Sequence, residues 1–378
     1  KFGGDTDNWM WPRHTGDFTL FRIYADTNNN PANYSPNNVP YKPSKVLDVA
    51  IDGISKGDFT LVMGYPGTTT EYIPSFGVTM QKNAINPVRI KIRTESLRII
   101  KEAMDANPLV RIQYSSKAAG IANGWKKWIG ENRGLNRMNA VSKKQELERN
   151  FSEWLKKNDT ANAAYNPILP TYEKLYAKIT PYQVAATYFN ETLFTAEMLD
   201  LTSEFNVLNQ INETDKEKWD KTIKSLTSTI NKFYKDYNLA TDKKLFEAYI
   251  SFFYTDVPKE FHPEILSLIG SKFDGNIGAF TNYVYQKSIF PDSTKLNRFL
   301  ASYTPKKMKQ LLKDPMVKIY NQGLAMYLQE ISPTLKTTSA ELSSIHKKYQ
   351  KGLREFQQNK EFYPDANSTF RIAFGQVD

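Results

Sequence analysis

The chain has no cysteine, which excludes disulfide scaffolds, thiolate zinc sites and a cysteine nucleophile together. The redox compartment stays open. Histidine is nearly as scarce: His14, His262 and His346 are isolated, with no His-x-x-x-His pair, so no zinc site is expected. Long apolar runs are missing too. The densest stretch, Tyr249 to Tyr254, covers six residues, against the roughly 18 or more that a membrane-crossing helix needs. Neither Gly-x-Gly-x-x-Gly nor a Walker loop occurs, and no strand–turn–helix nucleophile elbow is expected. Asp5-Thr-Asp7 opens like a calcium loop, but Gly16 stands where the closing carboxylate belongs. The reading therefore expects no metal and no cofactor.

What is present is ample for a core. The 378 residues are 40% hydrophobic and 13% aromatic, which excludes a disordered or collagen-like chain. The length predicts two domains, or one carrying a large insertion. Lys and Arg number 50 against 40 Asp and Glu, a formal charge of +10. The charges alternate, as in Lys216, Glu217, Lys218, Asp220 and Lys221, the pattern of a solvated helix face. A nucleic-acid footprint would gather one sign on one face. Only Lys306, Lys307, Lys309 and Lys313 approach that, so no nucleic-acid partner is expected.

The chain changes character twice. Up to about Pro74 it is rich in Gly, Pro, Asn, Asp and Thr, with β-type runs at Phe18–Tyr24 and Phe59–Met63, the latter ending in the turn Gly64-Tyr-Pro-Gly67. Thr27 to Pro43 holds six Asn and four Pro and reads as a surface loop. A third strand is expected around Ser75 to Met80. After Asn83 the period shifts to 3.6, with Ile90, Leu97, Ile99, Ile100 and Met104 as one stripe and a stop at Asn107-Pro108. Helices are expected over 109–131, 137–157, 170–206, 215–236, 242–255 and 337–358. Thr214-Asp-Lys-Glu217 and Thr338-Ser-Ala-Glu341 fit the capping box, and Thr304-Pro305 puts a cap before a first-turn proline. The end reverts: Tyr363-Pro-Asp365 reads as a turn and Ser368 to Phe374 alternates like a strand. The expected class is α+β. A β part built from 1–74 and 361–378 flanks a helical domain over 75–360.

The densest cluster of chemistry is the opening, Gly3-Gly-Asp-Thr-Asp-Asn-Trp-Met-Trp-Pro-Arg-His-Thr-Gly-Asp17, which packs three carboxylates, two indoles, an Arg and a His around glycines. One reading is a structured turn-rich loop, with Trp9 and Trp11 plugging a core and Asp5 and Asp7 capping turns. The other is a site loop on a rigid β scaffold. Composition leaves both open.

This opening resembles a motif of the bacterial exo-acting serine dipeptidyl peptidases, the seven and eleven types. Three further places agree: Leu61-Val-Met-Gly-Tyr-Pro-Gly-Thr-Thr69, Asn123-Gly-Trp-Lys-Lys-Trp128 and Tyr363-Pro-Asp-Ala-Asn-Ser-Thr-Phe-Arg371. The resemblance runs from end to end. It implies a trypsin-like antiparallel β-barrel domain, present here in part, with a large inserted all-α lid domain folded over the active site. It implies peptide substrates with a free N-terminus, a periplasmic, cell-surface or secreted location, and a homodimer. Asp17 matches the triad aspartate, which accepts Nδ1–H from the catalytic histidine. Asn8, Trp9 and Asn123 match the residues that hold the substrate's α-amino group. His14 stays structural.

The family's histidine and serine would lie before Lys1 and after Asp378, and the chain starts on Lys rather than Met. The expectation is therefore an internal fragment with one triad member of three, inactive alone because it lacks nucleophile and base. Whether the residue before the cut is hydrophobic or acidic stays open. A non-catalytic helical receptor for peptide or glycan, which would suit the 22 Tyr, is the competing reading. A degenerate homologue kept as an interaction protein is the third.

Overall fold

The computed structural model describes residues 19–49, 51–211 and 214–378. Two compact units emerge, one from Lys1–Tyr72 with Phe362–Asp378 and one from Ile73–Glu361. Asp17, Asn8, Trp9 and His14 lie outside the described residues.

The first unit carries four strands among the described residues: β1 (Tyr24–Ala25), β2 (Val39–Pro40), β3 (Phe59–Gly64) and β4 (Arg371–Gln376). β1 pairs antiparallel with β2, Tyr24 opposite Pro40. Of the strand expected over Phe18–Tyr24, the described residues form only β1, because its partner is short and Pro40 has no N–H to give. Directly after it, the Asp26 carboxylate accepts from the N–H groups of Asn28 and Asn30 and turns the chain. β3 forms as expected and pairs antiparallel with β4, Leu61 opposite Phe374. The turn expected at Gly64–Gly67 does not form. Instead the strand pair is prolonged, since Ser368 N–H donates to Pro66 at 2.9 Å and Thr69 N–H to Ala366 at 3.3 Å.

The fourth stretch of resemblance shows why its residues are what they are. Asp365 accepts from the Thr69 hydroxyl at 2.6 Å and from Glu71 N–H at 2.8 Å. Arg371 donates to the carbonyls of Pro364 and Asp365. Direct opposition puts Phe59, Leu61 and Met63 on one face of the ribbon with Ile372 and Phe374. All five are exposed, Phe374 at 76%.

The second unit holds fifteen α-helices among the described residues. They are α1 (Ser75–Met80), α2 (Asn86–Ala106), α3 (Pro108–Arg137), α4 (Ala140–Lys156), α5 (Asp159–Tyr165), α6 (Ile168–Glu191), α7 (Glu197–Glu204) and α8 (Lys216–Lys235). Then come α9 (Leu239–Asp256), α10 (Ser267–Phe273), α11 (Ile277–Lys287), α12 (Ser293–Ala301), α13 (Pro305–Leu311), α14 (Pro315–Met326) and α15 (Ser332–Phe356). Short π-helical turns join α1 to α2 and α14 to α15.

Ser75 to Met80 is thus a helix, not a strand. The run is too short for period to decide, and a distant group settles it. The Glu148 carboxylate of α4 accepts from Ser75 N–H and from Ser75 Oγ, both at 2.6 Å, which caps α1 from outside. α2 and α3 form where the apolar period predicts, broken at Asn107, whose side chain accepts from Leu109 N–H. The buried stripe of α2 is Val88, Ile92, Ile99 and Ile100, shifted from the expected one. The single helix expected over 170–206 is two, α6 and α7, separated at Thr192–Ala196. Both capping boxes fail. Asp215, one residue past Thr214, caps α8 by accepting from Lys218 N–H, and Thr338 sits buried inside α15. Pro305 does open α13.

One continuous core runs through Phe189, Phe246, Ile250, Phe253 and Met316. A separate aromatic cluster joins α4, α5, α6 and α15 through Phe151, Tyr165, Tyr172 and Tyr349, with Phe151 and Tyr349 edge-to-face at 5.8 Å. Gly352 makes room for it: a Cβ there would lie 2.9 Å from Phe151 Cζ. Phe151 is fully buried and cannot step aside. Gly352→Ala is therefore expected to destabilise the helical unit by a net ~1 kcal/mol, overpacking outweighing the gain in helix propensity. Urea denaturation checks this, and a stabilised variant would contradict it.

Candidate active-site support in the helical unit

Asn123 is the one proposed site residue within the described part. It sits exposed near the middle of α3. The side of α3 that faces α2 is unusually polar for a helix–helix contact. Arg93 of α2 donates from Nε to Glu191 Oε2 of α6 at 2.7 Å and from Nη2 to Oε1 at 3.3 Å. Its third nitrogen, Nη1, donates to the carbonyl oxygen of Ile121 in α3 at 3.2 Å. The same guanidinium lies 4.6 Å from the centre of the Trp128 ring, with Arg89 at 4.8 Å from that ring.

Gly124 allows this approach, because a Cβ there would stand 2.7 Å from Arg93 Nη1 and 3.1 Å from Trp128. Arg89 Nε is buried without a hydrogen bond, 3.9 Å from Glu191 Oε1. Burial pushes the Arg89 pKa down while the Glu191 charge holds it up. One turn on, Asn86 donates to Glu131 and to Asn132, and Trp125 Nε1 donates to Thr94. α2, α3 and α6 are thus pinned around Asn123 by directional bonds as well as by apolar packing.

A family model for peptidase S46 matches residues 1–378 of this chain. The chain belongs to the peptidase S46 family. It is 38% identical to the Asp/Glu-specific dipeptidyl-peptidase of Flavobacterium psychrophilum, an alignment that covers 100% of this chain and 52% of that protein. To a dipeptidyl-peptidase 7 of Porphyromonas endodontalis it is 37% identical, covering 100% of this chain and 45% of that one. The crystal structure of Porphyromonas endodontalis DPP11 in complex with the dipeptide Arg-Glu matches with a TM-score of 0.78 at 29% identity, over 100% of this chain and 53% of that chain. The chain spans about half the length of the curated relatives it matches.

Within the S46 chain other chemistry-bearing groups resolve into structure. No group of three or more His, Asp or Glu that could hold a metal occurs among the described residues, and no described helix is long and apolar enough to cross a membrane. His262 Nε2 bonds the Val257 carbonyl oxygen, and His346 bonds Tyr172 and Gln350. A Gly-x-Ser-x-Gly spacing does occur, at Gly53–Gly57, and the sequence reading passed over it. It is no nucleophile elbow, since it leads into β3 rather than a helix, with both glycines at positive φ and Ser55 N–H donating to Asp58.

The sequence reading also missed Arg93 and Glu191. They meet across 98 residues, and no local pattern announces such a pair. Trp128 lay inside a quoted stretch of resemblance, without a role.

Among the described residues Asp242 is the buried carboxyl with the most displaced titration. Tyr285 and Tyr237 donate to its Oδ2 at 2.5 and 2.9 Å, while Oδ1 has no partner. Burial raises its pKa to about 7 from 3.8, reinforced by the Glu197 charge and opposed by the tyrosine bonds. The residue is 1% exposed. The folded state holds a proton there that the unfolded state releases between about pH 4 and pH 7. This group's contribution to stability is therefore full below that window and is lost as pH rises through it. In Asp242→Asn that pH-dependent contribution should vanish. The difference in unfolding free energy between variant and wild type should shift in the variant's favour from pH 4 to pH 8, and a constant difference would contradict the assignment.

Proposed function

We propose that the full-length protein containing this chain is a serine dipeptidyl peptidase that releases dipeptides from free peptide N-termini. The observation that carries this reading is the S46 match over the whole chain, together with relatives that are named as dipeptidyl peptidases. In the proposed mechanism Asp17 accepts Nδ1–H from a histidine that the rest of the polypeptide supplies, and steadies its imidazolium while a serine attacks the scissile carbonyl. Acyl transfer to that serine and then to water completes the cycle. Asn8 and Asn123 accept hydrogen bonds from the substrate's ammonium through their amide oxygens. Trp9 offers its indole face, an attraction of about 0.5–2 kcal/mol. Anchoring the amine a fixed distance from the cut is what makes the enzyme release dipeptides rather than cut internally.

The first unit fits a piece of a trypsin-like β-barrel in this proposal, and the second the inserted helical lid domain. The support is the β3–β4 ribbon, which has one face of exposed large apolar residues and an opposite face of Thr60, Val62, Ala373 and Gly375. A sheet with one apolar face needs a second layer to cover it, which further strands of the same polypeptide would provide. We assign the enzyme to the periplasm or the cell surface on the same resemblance.

The test compares dipeptide–fluorophore substrates with free and with acetylated N-termini, carrying acidic or hydrophobic residues before the cut. Cleavage confined to free-amine substrates is expected. Asp17→Ala should lower kcat by about 10⁴-fold, the scale for a lost triad aspartate. Asn123→Ala should lower kcat/KM by about 10- to 100-fold, the worth of one charge-assisted hydrogen bond. A folded full-length protein that cleaves nothing in the panel would contradict the proposal and favour a receptor.

A further inference from the structure

An amide that anchors an ammonium must be held still, because a misplaced anchor moves the scissile bond away from the nucleophile. Asn123 is exposed on α3, and the backbone of α3 beneath it sets where its side chain starts. One guanidinium reaches that backbone on both sides of Asn123. Arg93 Nη1 bonds the Ile121 carbonyl oxygen two residues before it, passes over Gly124 one residue after it, and stacks on Trp128 a turn further on. Its remaining nitrogens are fixed by Glu191 of α6.

We infer that Arg93 is a positioning residue for the amine anchor: it locks the Ile121–Trp128 stretch of α3 to α6 and so sets where Asn123 presents its amide. The inference deepens the reading of Asn123 given above and rests on it. The residue type fits the task. A guanidinium stays charged at every working pH and has a planar fork that can serve a carboxylate and a carbonyl while stacking on an indole. A lysine could keep the charge opposite Glu191 but could not fill all three roles. Glycine at position 124 follows from the same geometry, since any side chain there would displace the fork.

Contacts of this kind could also serve only to glue helices, and the two roles differ in what they change. Glue alters stability. A positioning clamp alters KM for free-amine substrates, and only while Asn123 is present to be positioned. The experiment uses the full-length enzyme with Arg93→Lys, Asn123→Ala and the double variant, measuring kcat, KM and thermal unfolding on one free-amine dipeptide–fluorophore. Arg93→Lys should raise KM by about tenfold, the worth of one lost hydrogen bond, with kcat nearly unchanged. In the Asn123→Ala background the same substitution should add nothing further.

If Arg93→Lys does not fold, Gly124→Ala provides a second route. It pushes the guanidinium off the Ile121 carbonyl while raising helix propensity, and it should reproduce the KM effect. Effects of Arg93 and Asn123 that multiply independently would overturn the inference, as would a lowered melting temperature with KM intact. If Asn123→Ala itself leaves free-amine cleavage untouched, the reading of Asn123 fails first and the inference falls with it.

Discussion

The carboxylate of Glu191 is the point on which the helical unit turns. It closes α6 and receives two bonds from Arg93 of α2, whose third nitrogen reaches α3. Glu191 is 11% exposed, so its charge is tolerated only because it is matched. Removing it would leave two arginines, Arg89 and Arg93, facing one indole, with the Glu131 charge alone still acting on Arg89. An apolar seam could hold these helices together equally well, but it would allow them to slide. Directional bonds to a carbonyl fix the register of α3 to within a fraction of a turn, and Asn123 rides on that register.

The two units illustrate two ways of meeting the same demand for partners. In the helical unit the apolar groups find each other: Phe189, Phe253 and Met316 are fully buried in one core. In the β unit the chain's own hydrogen bonds are well served, with Asp365 and Arg371 binding neighbouring backbone, yet Phe59, Met63 and Phe374 remain exposed. Backbone pairing is local to the ribbon, whereas covering its apolar face calls for a second layer. That asymmetry is what the barrel domain proposed above would produce.

Much of this was legible in the residues, for reasons that can be named. The α2 and α3 helices announce themselves by period and by the Asn107-Pro108 break, and β3 by its β-branched and aromatic run. Peptidase family membership was readable from the opening motif, whose residues lie outside the described structure. Some of the errors share a cause: the deciding group was far away in sequence. Ser75 to Met80 becomes helix because Glu148, 73 residues on, caps it. Thr338 looks like a cap but lies mid-helix, where its neighbours bury it. α10, α11 and α12 escaped because seven, eleven and nine residues are too few for a period to stand out, and α14 because Met316, Val317 and Ile319 bury it on several sides. Even so, Asn276, Asp292 and Asp314 were side-chain caps that could have been read. Arg93 and Glu191 gave no local signal at all.

The most direct test of the account is a crystal structure of the full-length protein with a dipeptide product bound. The account predicts that the dipeptide's α-amino group lies within hydrogen-bond distance of the Asn123 amide oxygen, with Asp17 bonded to a histidine Nδ1 near its carboxyl end. A dipeptide held elsewhere, with Asn123 facing solvent and Asp17 paired to no histidine, would contradict it.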